Sequence, residues 1–285
     1  MAHEFNVELT SQQEWSWLVA IDLFLAGLGG GLFLLFQLFN LPPSVGLLSL
    51  TLVFLGGLIL LAELGHPLRA WRAICKPRTS WISRGVIFVL LFMICGFLSI
   101  AFAFDSLSWL PWASDGYAAR ILWMIAGVLA FLVTIYPGFV LSASPSIPFW
   151  NSPLLPILFF SYSVLGASGV VLLISPWFSP DSQAHGIIFF ASVVIVANLI
   201  MLVTYLLTLK GSNLAAKQAV KVLNEGALGW LFKLGVILLG MVIPLVMVLW
   251  IPSAVALAGG FILMGGLLFR YCVLKAGVYV PFPLT

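Results

Sequence analysis

Five long stretches of this sequence have no formal charge: Leu23 to Ala62, Gly85 to Phe104, Ile121 to Pro180, Ile187 to Leu209 and Leu234 to Phe269. A water-facing fold cannot be built that way. Soluble domains carry roughly 25% charged residues, whereas this one has 7%, against 62% hydrophobic. A bilayer core of about 30 Å needs about 20 apolar residues per helical span. The charge-free stretches therefore predict an all-α, integral membrane helical bundle of about eight transmembrane helices. No sequence is left for a soluble domain, so residues 1–285 form a single polytopic membrane domain.

The pattern places helix 1 at Trp17 to Phe39 and helix 2 at Val45 to Glu63, joined by a turn at Pro42 and Pro43. A polar connection, Leu64 to Arg84, precedes helix 3, Gly85 to Phe104, and helix 4, Ala119 to Leu141. A charge-free, proline-containing loop, Ser142 to Pro153, leads to helix 5, Leu154 to Leu173, and helix 6, Ile187 to Leu209. A basic loop, Lys210 to Gly226, precedes helix 7, Leu228 to Trp250, and helix 8, Val255 to Val278. Trp15, Trp17, Trp71, Trp81, Trp109, Trp112, Trp150, Trp177 and Trp250 fall near helix ends, as an interfacial aromatic belt does. Glycines within the spans, notably Gly27, Gly29, Gly30, Gly31, Gly56, Gly57, Gly259, Gly260, Gly265 and Gly266, suit close helix packing. Glu4, Glu8 and Glu14, with no Lys or Arg before helix 1, do not make the basic start of a signal peptide, so the first apolar run is expected to be retained.

An even number of spans puts both termini on one side. That face carries the 64–84, 142–153 and 210–226 connections. Of the twelve Lys and Arg residues, all but Arg120 lie at or near it. The positive-inside rule makes it cytoplasmic, although a basic docking surface for a partner protein produces the same asymmetry. The net charge of +3 says little more.

Ionisable groups within spans are expensive and mark a functional cavity by default. A rise of 1.5 Å per residue puts Asp22 and Lys233 roughly 8 Å inside their helices and Arg270 roughly 10 Å inside helix 8. Glu63 closes helix 2, and Tyr136 lies roughly 8 Å from the end of helix 4. All lie in the same half of the membrane. Lys233 and Arg270 are long enough to snorkel to the interface, and either could pair with Asp22. Pro137 lacks the N–H that would bond the Val133 carbonyl, and irregular helix at depth is tolerated where it lines a cavity. Gln37, Thr134, Asn198 and Thr204 are polar at mid-membrane, but no carboxylate relay crosses the bilayer.

Of the three histidines, His3, His66 and His185, none lies at depth in a span, where a membrane b-type haem takes its axial pair. Cys75, Cys95 and Cys272 form no CxxC pair and are read as small core residues. No haem, no metal and no other resident redox cofactor is expected.

Several strings resemble the NrfD/PsrC family, the membrane subunits of polysulfide reductase-like complexes. They are Glu63-Leu64-Gly65-His66-Pro67-Leu68-Arg69, then Pro77-Arg78-Thr79-Ser80-Trp81-Ile82-Ser83-Arg84-Gly85, then Tyr136-Pro137-Gly138. Leu141-Ser142-Ala143-Ser144-Pro145, Pro148-Phe149-Trp150-Asn151-Ser152-Pro153 and Leu268-Phe269-Arg270-Tyr271 follow in family order. The resemblance spans almost the whole sequence. It implies eight helices, no haem, and a site for menaquinone or ubiquinone near the face where an iron–sulfur subunit docks. That partner would be a four-cluster ferredoxin-like protein, commonly with a molybdopterin-containing catalytic subunit beyond it. By resemblance, Asp22, Glu63 and Tyr136 are the catalytic residues of the quinone pocket. His66, Arg69 and Arg270 lie in the pocket or at its mouth. Arg78, Arg84, Ser142, Ser144 and Asn151 shape the mouth or the docking face.

Quinol oxidation releases two protons and two electrons. A buried carboxylate beside a phenol can bond the quinone oxygens and accept protons, while the electrons leave to a cluster outside this protein. The expected protein is thus a subunit of a quinone-linked oxidoreductase complex of anaerobic respiration, in a bacterial cytoplasmic membrane, with no nucleic-acid partner. The alternative is a secondary transporter, with Asp22 and Glu63 as coupling acids, or a proton-translocating membrane protein. Transporters often show internal repeats and broken helices at the midplane; here no repeat is visible and the polar residues sit at one face.

Overall fold

Backbone amides in a lipid interior have no water to bond, so each apolar run closes its hydrogen bonds within itself as a helix. The computed structural model describes residues 10–63, 67–104, 116–178 and 181–280. Among them are eight helices long and apolar enough to cross a membrane. The protein is a multi-pass integral membrane protein, as expected. The spans are α1 (Trp17–Leu38), α2 (Pro43–Glu63), α3 (Trp81–Ile100), α4 (Tyr117–Ser142), α5 (Leu154–Phe178) and α6 (Asp181–Lys210). After α7 (Leu214–Asn224) come α8 (Gly226–Trp250) and α9 (Val255–Lys275). The expectations for His3, Glu4, Glu8, His66, Trp109, Trp112 and the ring of Trp177 fall outside the described residues.

A polar cap explains one helix start that differs from the apolar pattern. Helix α3 begins at Trp81 because the Ser80 hydroxyl accepts from the Ser83 amide at 3.4 Å. The basic loop is not a plain loop. It contains α7, capped by Asn213, whose side-chain oxygen accepts from Ala216 N at 2.9 Å. Ala215, Ala216, Ala219, Val220 and Leu223 are buried on one face while Lys217 and Lys221 are not. That amphipathic spacing, hidden among lysines, lays the helix along the bundle. A 3₁₀ turn, Pro67–Ile74, likewise occupies part of the first polar connection.

Helix α8 changes register along its length: Leu231–Val242 is π-helical between α-helical ends. The Ile243 amide bonds the Leu238 carbonyl, five residues back, before Pro244 re-enters the α form. The wide register brings both Gly235 and Gly240 against α9. A Cβ on Gly235 would sit 2.5 Å from Leu268 Cδ1, and one on Gly240 2.7 Å from the Gly265 Cα.

Helix α1 is central, packed on α2, α4, α5 and α9. Helices α1 to α4 form a four-helix bundle whose α2–α3 seam is the least tightly packed. Helices α5, α6, α8 and α9 close the other side of α1. The two ends of the described structure meet. Gln12 N donates to Gly277 O at 2.8 Å, Tyr279 N to Thr10 O at 3.0 Å, and Val280 N to Ser146 O at 2.9 Å. One face of the bundle therefore gathers residues 10–12, the 143–153 loop and the segment after α9.

Candidate functional site

Asp22 lies on α1 and is only 4% exposed. Its carboxylate lies against the backbone of α2: a Cβ on Gly56 would stand 3.3 Å from Oδ1. Asp22 lies within electrostatic reach of Glu63, at the end of α2, and Tyr136 on α4 within that of Asp22. The three residues singled out by sequence are thus brought together inside the α1–α4 bundle. Tyr136 is held by α3, because its ring occupies the space a side chain at Gly85 would need. Helix α4 continues through Pro137, and Gly138 allows the backbone of Pro156 at the start of α5 to approach.

The hydrogen bonding at this cluster is incomplete. Glu63 Oε1 accepts from the Ser16 hydroxyl at 2.5 Å, while Oε2 is enclosed and has no partner among the described residues. Ser16 also caps α1 by accepting from the Leu18 amide at 3.1 Å. Among the described residues, no hydrogen bond reaches the Asp22 carboxylate or the Tyr136 hydroxyl, and no ion pair engages Asp22 or Glu63. Buried acceptors are nearly always satisfied. Two carboxylates and a phenol with bonding capacity to spare make a site that can accept from two hydroxyls and donate to one carbonyl oxygen.

The two long cations behave differently from each other. Lys233 snorkels: its ammonium is exposed and donates to the Asn224 carbonyl at 2.8 Å, at the C-terminal end of α7. Arg270 does not snorkel and does not pair with Asp22. It is 1% exposed, and its Nε donates to Leu23 O at 3.0 Å, Nη1 to Gly266 O at 3.0 Å and Nη2 to Ser163 Oγ at 2.9 Å. The Phe24 and Phe159 rings flank the guanidinium, 5.4 and 5.8 Å from their centroids. Arg270 thus ties α9 to α1 and α5. Nothing in the pattern of apolar residues pointed to that role, because carbonyl partners carry no residue-type signature.

The remaining residues of those strings make contacts local to their loops and helix ends. Arg84 Nε donates to Pro77 O at 2.7 Å and Nη2 to Arg78 O at 2.9 Å, and its guanidinium lies 4.4 Å from the Trp81 centroid. Trp81 stacks on Phe139 at 4.5 Å. Asn151 Nδ2 donates to Ser142 O at 2.8 Å, closing the loop after α4; Ser142 Oγ itself bonds back to Phe139 O at 3.3 Å. Ser144 is half-buried in the same loop, and Arg69 and Arg78 are exposed. Trp150 is no interfacial anchor: it is buried, and its indole N–H donates to Val273 O at 2.9 Å. Cys75 is exposed rather than a core residue, whereas Cys95 is half-buried and Cys272 buried. Among the described residues, no three His, Cys, Asp or Glu side chains converge as metal ligands do.

Comparison with known proteins adds a lineage. The family described as "Polysulphide reductase, NrfD" matches residues 6–281. The sequence is 32% identical to "Protein NrfD" of Escherichia coli (strain K12), over 92% of its own length and 94% of the relative's. It is 26% identical to one chain of the polysulfide reductase of Wolinella succinogenes, over 96% of its own length and 95% of the relative's. A shorter match, 31% identical over 39% of its own length and 36% of the relative's, is to one subunit of the sulfite dehydrogenase of Allochromatium vinosum.

Proposed function

The protein belongs to the NrfD/polysulphide reductase family of membrane subunits of respiratory reductase complexes, and from that premise we propose that it is the quinone-reactive subunit of such a complex. The observation that carries the reading is the buried Asp22 carboxylate, without a hydrogen-bond partner among the described residues, beside Glu63 and Tyr136. Menaquinol or ubiquinol is the substrate. Its two hydroxyls donate to Asp22 and to the unpartnered Oε2 of Glu63; the Tyr136 hydroxyl donates to a quinone oxygen. On oxidation the two protons pass to the carboxylates, which are the strongest acceptors in the cluster. The two electrons leave to an iron–sulfur partner docked at the face bearing Arg69, Arg78, Lys217 and Lys221, with a molybdopterin-containing subunit beyond. Reduction of quinone runs the same steps in reverse. His66, three residues after Glu63 in sequence, and Arg69 belong to the mouth. Arg270 contributes through α1, since it bonds the carbonyl of Leu23, next to Asp22, rather than the carboxylate.

The test is paired turnover on purified complexes of equal subunit content, once with a menaquinol analogue and once with an artificial soluble dye. Asp22→Asn and Tyr136→Phe are each expected to cut quinol-linked turnover by at least about tenfold, since general-base groups contribute about 10²–10⁴. Dye-linked electron transfer between the partner subunits is expected to survive. Normal quinol turnover in both variants would remove the site assignment, and loss of both activities would show structural damage instead.

A further inference from the structure

The seam between α2 and α3, where the α1–α4 bundle packs least tightly, holds a lipid-facing groove of about 480 Å³. Its walls are Leu47, Thr51 and Phe54 on α2 and Met93, Ile94 and Phe97 on α3. Leu50 is its floor, closed where Leu50 lies over Gly96. The one wall hydroxyl, Thr51 Oγ1, is turned back onto Leu47 O at 2.9 Å. The groove therefore offers carbon and no free polar group. It takes an apolar tail.

The same two helices bound the acidic cluster on the inner side of the seam. Gly56 of α2 lies against the Asp22 carboxylate and Gly85 of α3 lies under the Tyr136 ring. Phe54, at the near end of the groove, is two residues from Gly56: about 3 Å of helix rise and about 200° around α2, so the acidic cluster lies on the inner side of the seam and the groove on its outer side. From Phe54 to Leu47 the groove follows α2 for about 10 Å more, toward the opposite face. A molecule with a polar ring at Asp22 and Tyr136 and a long hydrocarbon tail would leave the bundle along this seam, because α1–α2, α3–α4 and α1–α4 are closed by tighter packing.

On the reading of the site given above, we propose that the α2–α3 groove seats the isoprenoid tail of the quinone and is the substrate's route between bilayer and site. Tail length and saturation are then sensed by Phe54, Met93 and Ile94, apart from the residues that handle protons. A substrate lacking the tail loses affinity but not reactivity.

The full-length protein, purified in lipid nanodiscs, is loaded with a menaquinone bearing a photoactivatable diazirine on one of its first isoprenoid units. It is irradiated with and without excess unmodified menaquinone, and labelled residues are mapped by mass spectrometry. Labels are expected on Phe54, Met93 or Ile94, suppressed by the competitor. Ile94 is 58% exposed, so Ile94→Trp adds bulk to the groove without crowding the core. It is expected to cut this labelling by roughly fivefold or more, within the range that small volume changes in apolar pockets produce. A tail-less naphthoquinone is expected to compete equally in variant and parent; weaker competition in the variant would mean general damage and overturn the assignment. Competable labelling on other helices overturns the groove while the quinone reading stands. Labelling on α2 and α3 that excess quinone does not suppress marks a surface open to any lipid tail, and also overturns it. No competable labelling anywhere overturns both the groove and the quinone reading.

Discussion

Arg270 carries a charge into the bundle interior without a carboxylate to meet it among the described residues. Hydrogen bonds to a charged group contribute about 1.5–3 kcal/mol each, and two of those made by the guanidinium join α9 to α1 and α5. Arg270→Met is therefore expected to lower the melting temperature in detergent; an unchanged or raised one would show that the cost of burying the charge cancels those bonds. At the N-terminus of α1, Ser16 performs two tasks, capping the helix and bonding Glu63. Ser16→Ala is expected to cost about 1 kcal/mol as a lost cap. Ser16→Asp keeps the cap but sets a second carboxylate against Glu63, and is expected to be the less stable of the two. Thermal unfolding of both variants decides, and an aspartate variant as stable as the parent would show that the Glu63 contact has no weight.

Among helices, the glycines that look alike in sequence divide sharply in structure. Gly265 and Gly240 bring α9 and α8 into backbone contact, and a side chain on either would overlap the other helix. Gly57 and Gly260 have open space where a Cβ would stand, with nothing within 4 Å. Gly265→Ala is expected to destabilise by about 1–3 kcal/mol, the usual cost of overpacking. Gly57→Ala and Gly260→Ala are expected to be neutral or to stabilise by up to about 1 kcal/mol through helix propensity. Detergent unfolding curves for the three variants check this, and equal effects at all three would contradict the packing described. The amphipathic α7 belongs to the same scale. Its alanine face is legible as a helix once the lysines around it are read as the outward face of that helix and not as loop composition.

For the molecule as a whole, the face that gathers residues 10–12, the 143–153 loop and the basic α7 is expected to be cytoplasmic, by its excess of Lys and Arg. The exposed Cys75 is a native probe of that face, and Tyr117, 87% exposed at the start of α4, a position at the other. In intact cells, a membrane-impermeant maleimide is expected to spare Cys75 and to label a Tyr117→Cys variant in which Cys75 is changed to Ser. Labelling of Cys75 from outside would invert the assignment and put the partner subunits on the outer side.

The sequence alone determined that the protein spans the membrane eight times, because lipid admits only self-satisfied helices and charge-free runs of that length have no other solution. It also singled out the candidates for chemistry, since an acid such as Asp22 within a span stands out against its apolar neighbours. Partnership was decided only in three dimensions. Asp22 and Arg270 are opposite charges on adjacent helices, yet the one faces Gly56 on α2 and the other bonds the Leu23 carbonyl. The direction a side chain takes around a helix in an almost uniformly apolar span has little periodic contrast to reveal it. The burial of Trp150 was hidden for a related reason: its indole bonds the Val273 carbonyl, far away in sequence, and backbone atoms are the same for every residue type.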